Sequence, residues 1–346
     1  LAEQGVQVDP DKLTDVHLLK RHVLKRCIYG VDLNPMAVEL AKVSLWLDAF
    51  TLGAPLSFLD HHLRCGNSLV GATFADLETT VKATKTQAAS LFGIDYEPML
   101  RAVRHVLHVN QMSDATAAEV KQSASEYQAS RNDLAGYQIV LDLLAAEYFG
   151  LPQATRLLAM FGNQLDLSSR ARFMQSLGDL EASGLESLAV VEKVSSFSND
   201  PNHRFFHWEI EFPEAFFGFA DREGRNLEHK SKIVPGSEGF DAVVGNPPYD
   251  VLEKDRLGDH QPHAAAETFI KQSPAYANAL GGKVNLYRPF LIRSLGLLRS
   301  MGRYSQIVPM SLLADVSLSK TRVGMFAMCQ PESFCAFPQK DDSRNR

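Results

Sequence analysis

Between positions 27 and 50 the chain reads CIYGVDLNPMAVELAKVSLWLDAF, a short apolar run closed by an acid and followed by apolar residues at helical intervals. That order predicts a buried strand, roughly Cys27 to Val31, and then a helix begun by Pro35, whose missing amide proton does no harm in a first helical turn. The spacing of Val38, Leu40, Ala41, Val43, Leu45 and Leu47 predicts a mostly buried helix. A second short strand is expected at Leu63 to Cys65, running into the turn GNSLVG. Strand, helix and strand make the start of an alternating α/β unit.

The pattern changes after position 71. DATAAEVKQSASEYQASRNDLAGYQIVLDLLAAEYFG is rich in alanine, lacks proline and carries apolar residues at helical spacing in its second half, so residues 72–200 read as a mainly helical insertion. Its polar first half fits either a packed subdomain or a solvated arm. SSFSNDPNH is a polar connector, after which HRFFHWEIEFPEAFF, the charged DREGRNLEHKSK and the strand FDAVV resume the α/β pattern over 201–328. A helix is expected in VNLYRPFLIRSLGLLRS, closed by Met301-Gly302 before a strand YSQIVP. Residues 329–346 read as a poorly structured tail. The expected organisation is thus 1–71, the first part of an α/β domain, then the insertion 72–200, the second part 201–328 and the tail.

Composition narrows the function classes. With 45% hydrophobic and 22% charged residues the chain is an ordinary globular one. Its formal charge of −6 gives no overall positive field for nucleic acid, so any such contact needs a local patch. Seven basic residues against one acid, Asp315, lie between Lys283 and Arg322; Arg288, Arg293, Arg299 and Arg303 are the candidates for phosphate contact, and equally the wet side of a helix. Four cysteines without CxxC spacing suit reduced thiols in the cytoplasm, and no run of 18 apolar residues suggests a membrane span. His61 and His62 are adjacent, which in a strand points them apart, so they make no metal site by themselves. Trp46 and Trp208 read as core residues. No nuclease signature is visible.

The stretch VVGNPPYD, 243–250, carries the clearest chemistry. Two prolines cannot continue a sheet, so the strand stops and Asn246, Pro247, Pro248 and Tyr249 form a stiff loop. An exocyclic amine conjugated to a ring is a weak nucleophile. Two acceptors on its N–H groups, the Asn246 side-chain oxygen and the Pro247 carbonyl, favour the pyramidal nitrogen that attacks a methyl donor. Pro248 stiffens the loop, and Tyr249 offers a face for stacking an extruded base. An Asn-Pro turn ending a strand is the plainer reading. Asp32, at the end of its strand, suits a ribose hydroxyl or a helix cap; Asn67 and Ser68 suit a ligand contact or an ordinary tight turn.

Four segments in order, IYGVDLNPMAVELAKVSLWL, CGNSLVG, FHWEIEFPEAF with FDAVVGNPPY, and LYRPFLIRSLGLLRSMGRYSQIVPMSLL, resemble the amino-methyltransferases that use S-adenosylmethionine. Among these the chain is most similar to the large adenine-specific (N6) DNA methyltransferases of type IIG restriction-modification and BREX-like phage-exclusion systems. The resemblance implies an α/β fold, a Rossmann-like methyltransferase sheet interrupted by the helical insertion. It implies that Asp32, with Leu33 beside it, holds the cofactor ribose, that Asn67 and Ser68 lie at the cofactor adenine, where the family often has Asp, and that Asn246, Pro247, Pro248 and Tyr249 are the catalytic loop. The reaction implied is direct methyl transfer to N6 of a flipped adenine in double-stranded DNA, with other restriction or defence subunits or domains as further partners. The family's fold opens with a strand and a Gly-rich turn, and LAEQGVQVDPDKLTDVHLLKRHVLKR has neither. The expectation is therefore an incomplete sheet, a chain that is an internal fragment or takes that strand from elsewhere, and poor cofactor binding by the chain alone. Methyl transfer to RNA or to a protein glutamine amide, and an inactive DNA-binding or assembly module, are the rival expectations.

Overall fold

A computed structural model describes residues 15–49, 55–83, 96–151, 166–182, 187–217, 239–252 and 261–337. The charged stretch DREGRNLEHKSK and the last nine residues lie outside the described residues. The chain divides into two compact units, Leu1–Gly239 and Phe240–Arg346.

In the first unit, helix α1 (Asp15–Cys27) leads to strand β1 (Gly30–Asp32), helix α2 (Pro35–Asp48) and strand β2 (Leu63–Cys65). The first strand is shorter and later than its apolar run suggests, because α1 runs through Cys27 and Gly30 is the first residue to pair. β1 and β2 are parallel, with Gly30 opposite Leu63, Val31 opposite Arg64 and Asp32 opposite Cys65. Asn34 caps α2 by accepting the Met36 amide proton at 2.9 Å, and Pro35 occupies the first turn. The core beneath this unit gathers Leu24, Val38, Ala49, Leu59 and Leu63, with Leu45 and Cys65 against it.

The burial expected of α2 is not what the structure shows. Val38 is buried, but Met36, Leu40, Val43 and Leu47 are 72, 64, 45 and 59% exposed. Spacings of four, three and four residues put these four on one helical stripe, and Val38 faces elsewhere. Apolar spacing marks where a helix is greasy, and it does not say that something covers it.

The insertion is mainly helical in its described residues: α3 (Phe74–Ala83), α4 (Glu97–Gln111), α5 (Ala117–Glu147), α6 (Arg170–Ala182) and α7 (Ser187–Asn199). The 31-residue α5 starts at Thr116, whose hydroxyl accepts the Glu119 amide proton at 3.2 Å. Its apolar second half buries Leu134, Tyr137, Val140, Leu141 and Leu144. Its polar first half is packed too: Ser123, Tyr127 and Ser130 are buried at helical spacing, and α4 supplies buried Met99, Ala102, Val103, Val106 and Val109. SSFSN belongs to the end of α7, so the connector is only the turn at residues 200–203. Two single-turn helices, α8 (Trp208–Glu211) and α9 (Pro213–Phe216), then carry most of HWEIEFPEAF.

In the second unit strand β3 (Phe240–Gly245) runs parallel to β4 (Leu298–Gln306), with helix α10 (Gln261–Gln272), a 3₁₀ turn at Pro274–Ala279 and helix α11 (Tyr287–Gly296) between them. Short helices at Ser311–Ala314 (α12) and Ser319–Met328 (α13) follow. Met301-Gly302 does not close a helix. The pair lies inside β4, where Met301 takes the left-handed φ of 64° beside a register shift between Phe240 and Ala242. A bulge needs a spare residue, and Gly302 lets the backbone come close, since a Cβ there would sit 3.0 Å from the Phe240 carbonyl. Among the described residues the strands form two separate two-stranded parallel sheets.

Candidate active site

Parallel pairing of β1 and β2 brings their carboxyl ends to one edge, where ligands of α/β sheets bind. Asp32, Leu33, Asn67 and Ser68 therefore share that edge, joined by the Gly66 amide donating to the Asp32 carbonyl at 3.0 Å. The Cys65 thiol donates to the Leu33 carbonyl at 3.5 Å. Asp32 is exposed, and its Oδ1 accepts the Asn34 amide proton at 2.7 Å. The helix cap is Asn34, which leaves the Asp32 carboxylate with acceptor capacity to spare.

Asn67 is built into the turn. The residue is 5% exposed and its Oδ1 accepts the Leu69 amide proton at 3.3 Å, while its backbone amide donates to the Arg204 carbonyl at 2.8 Å. In this conformation its Oδ1 braces the turn from inside, and its Nδ2 is buried with no hydrogen-bond partner. Of residues 66–72, Ser68 alone is not buried.

In the second unit, β3 delivers Asn246–Tyr249 at its carboxyl end. The Ile307 amide donates to the Gly245 carbonyl at 3.1 Å, extending the ladder by one bond before the prolines stop it. Pro247 is buried, Pro248 half-buried, and Asn246 and Tyr249 are exposed. The Tyr249 hydroxyl lies 3.3 Å from Asn246 Oδ1 and 3.1 Å from the Ile307 carbonyl. One phenolic proton serves either acceptor, so the Asn246 oxygen can be released to another donor while Tyr249 keeps a partner. Tyr249 is 43% exposed, and its ring meets that of Tyr287 edge-on at 6.3 Å. Asn285 Nδ2 donates to the Tyr249 carbonyl at 3.3 Å, and the Leu286 amide donates to that of Asp250 at 2.8 Å, so the far side of the loop is also held.

The four candidate arginines do not form a free basic face. Arg288 is fully buried: Nη1 donates to the carbonyls of Gly281 at 2.7 Å and Lys283 at 3.2 Å, and Nε to Thr321 Oγ1 at 3.2 Å. It ties a Gly-Gly turn to α11 and is unavailable to phosphate. Arg293 donates to the Tyr276 hydroxyl at 2.9 Å and sits over its ring. Arg299 pairs with Asp241, and the exposed Arg303 with Glu332.

Sequence reading missed the work of HWEIEFPEAF. Its Glu211 accepts from Arg64 of β2 at 2.9 and 2.8 Å and from Arg131 of α5 at 3.0 Å. Burial alone would raise this carboxyl, but Arg131 and Arg64 outweigh it and hold the group at about 2. Three residues on, Glu214 is buried 3.4 Å from His62 Nε2 and is pushed up to about 7 by burial. His61 and His62 precede β2 in a turn and lie ring to ring at 4.0 Å, so they do not point apart, and burial lowers both to about 3. The signal was present as three acids in an otherwise apolar and aromatic run. Their partners lie far away in the chain, 147 positions for Glu211 and Arg64 and farther still for Glu214 and His62.

Glu214 makes pH a test of this packing. Its folded value lies above the ordinary 4.5, so from pH 4.5 to 7 the unfolded chain gives up a proton that the fold retains, and Glu214's own contribution to stability falls across that window, against the rise that the buried neutral His61 and His62 give over its lower part. Glu214→Gln is expected to remove that loss, worth up to about 3 kcal/mol, so that the variant gains on the wild type between pH 5 and 7.5 in chemical denaturation. Parallel pH profiles for the two proteins would refute it.

Parallel strand pairs joined through helices, with polar residues gathered at strand carboxyl ends, define an α/β protein. The Eco57I restriction-modification methylase family matches residues 26–342, nearly the whole chain, and the chain belongs to that family. It is also 24% identical over 345 residues to a protein of Methanocaldococcus jannaschii described as "Putative type II restriction enzyme and methyltransferase", covering 91% of this chain. The chain spans about a quarter, 24%, of that relative's length. No solved structure matches. Among the described residues no helix is long and apolar enough to cross a membrane, and no group of three or more His, Cys, Asp or Glu is placed to hold a metal ion.

Proposed function

We propose that this chain is the methyl-transferring part of a cytoplasmic, site-specific DNA methyltransferase of a type IIG restriction-modification or BREX-like system. It moves a methyl group from S-adenosylmethionine to N6 of adenine in double-stranded DNA. The observation that carries this reading is the Asn246–Tyr249 loop, which displays exposed Asn246 and exposed Tyr249 at the end of a parallel strand, in a chain of a restriction-modification methylase family.

The first unit suits the cofactor end of this reading, as part of a Rossmann-like sheet. Asp32 offers an exposed carboxylate to ribose hydroxyls at the carboxyl end of β1. Leu33, Asn67 and Ser68 border the same edge, with Ser68 the more exposed of the two turn residues. S-adenosylmethionine supplies the electrophilic methyl carbon when bound. The rest of the chemistry falls to the loop. The Asn246 oxygen, given up by Tyr249 to a substrate N–H, and the Pro247 carbonyl accept the two amine protons and direct the nitrogen lone pair outward. Tyr249 holds the extruded base by stacking, a contact worth roughly 1–3 kcal/mol. Neither acceptor is a base, so the extra proton on the methylated nitrogen leaves to water. With Arg288 buried and Arg293 and Arg299 engaged, Arg303, exposed and paired only with the equally exposed Glu332, is the candidate that remains for phosphate contact, beside other parts of the parent protein.

The test is transfer of radiolabelled methyl groups by the full-length parent protein to duplex DNA, RNA and protein substrates. Label recovered as N6-methyladenine from DNA is expected. Label in protein or RNA only would replace the DNA reading with one of its rivals.

A further inference from the structure

The turn after β2 is held by a second segment that runs alongside it. Asn67 bridges Phe205 in parallel, the Phe206 amide donates to the Val70 carbonyl at 2.7 Å, and the Ala72 amide donates to His207 Nδ1 at 3.0 Å. The Trp208 indole N–H donates to the Ser68 carbonyl at 2.9 Å, and Glu209 accepts the Phe74 amide proton at 2.6 Å. Two glycines admit this approach. A Cβ on Gly71 would lie 2.1 Å from the Phe206 carbonyl oxygen, and one on Gly66 would lie 2.4 Å from the Phe206 ring.

The strap is itself anchored. His207 Nδ1 faces both the Ala72 amide at 3.0 Å and the Ala72 carbonyl at 3.3 Å, and Nε2 lies 2.9 Å from Asp142 Oδ1 of α5, to which it donates, since a carboxylate oxygen can only accept there. Asp142 Oδ2 accepts from Ser198 of α7 at 3.0 Å. His207 and Asp142 are both buried, so the chain from helical bundle to turn is fixed inside the protein. Its outcome is one half-exposed residue, Ser68, on a turn whose other residues face inward.

We propose that Trp208 and His207 are positioning residues for Ser68, so that the helical bundle, through Asp142, sets the shape of the β2 end of the cofactor site. The proposal rests on the reading that Ser68 borders S-adenosylmethionine. Trp208→Phe deletes the indole donor while keeping a ring beside Phe206 and Phe212, which contact Trp208 at 5.1 and 5.8 Å between centroids.

In the full-length protein, Trp208→Phe is expected to raise the Kd for S-adenosylhomocysteine and the KM for S-adenosylmethionine about fivefold, the worth of one hydrogen bond. The kcat and the KM for DNA should stay as in the wild type. Amide hydrogen exchange should quicken at residues 67–72 in the variant and slow there when S-adenosylhomocysteine binds the wild type. Ser68→Ala is the control. If Ser68→Ala weakens cofactor binding and Trp208→Phe does not, the positioning role is wrong. If Ser68→Ala has no effect while Asp32→Ala weakens binding, the Ser68 contact is wrong and the proposal falls with it. Should Trp208→Phe fail to fold, exchange in the wild type decides: slowing on ligand binding at both 67–72 and 205–208 supports the strap, and slowing at neither overturns it.

Discussion

Asn246→Ala in the full-length protein is expected to lower the rate of methyl transfer to duplex DNA by about 100- to 1,000-fold, the usual effect of removing one preorganised group at a reacting centre. The loss should fall on kcat, because the acceptor matters most as the amine nitrogen leaves conjugation. The substitution is structurally mild. Asn246 is exposed, and the Tyr249 hydroxyl keeps the Ile307 carbonyl 3.1 Å away as a partner. The denaturation midpoint should stay within error of the wild type, separating chemistry from folding. Asn246→Asp keeps an oxygen acceptor and should retain more activity than Ala. Undiminished methylation by the Ala variant would remove Asn246 from the mechanism.

The second large effect is on stability. Glu211→Ala should destabilise the protein by roughly 3–5 kcal/mol, because it leaves the guanidinium groups of Arg64 and Arg131 without the carboxylate they share. Side-chain exposures of 24 and 16% leave both arginines some water, which favours the lower end of that range. Even so, this is a large share of the roughly 5–15 kcal/mol that holds an ordinary domain together. Glu211→Gln keeps one oxygen acceptor and should recover part of the loss. A denaturation midpoint for Glu211→Ala equal to the wild type's would mean that the three residues contribute nothing net.

Local chemistry made part of this legible in sequence. Pro35 after Asn34 fixed the start of α2, Leu63–Cys65 paired where its apolar run lay, and the two prolines ended β3 at Gly245. These features depend on backbone rules that act within a few residues. What escaped depends on partners far along the chain. Nothing near Arg288 announces that Thr321, 33 positions on, will meet its guanidinium and help enclose it. The left-handed Met301 makes sense only beside Phe240, about 60 positions earlier. Asn67 and Ser68 are neighbours in sequence, but one is buried and the other half-buried, a difference that shows only once residues 205–208 pack against the turn. His207 and Asp142, 65 positions apart, carried no local pattern that would join them.

The stripe of Met36, Leu40, Val43 and Leu47 also bears on handling. Water gains by hiding such a surface, and the nearest cover in a concentrated preparation is another copy of the same molecule. Clustering that fades on dilution or with a mild detergent would then come from folded protein, and changing Leu40 and Leu47 to lysine is the direct way to keep the preparation dispersed.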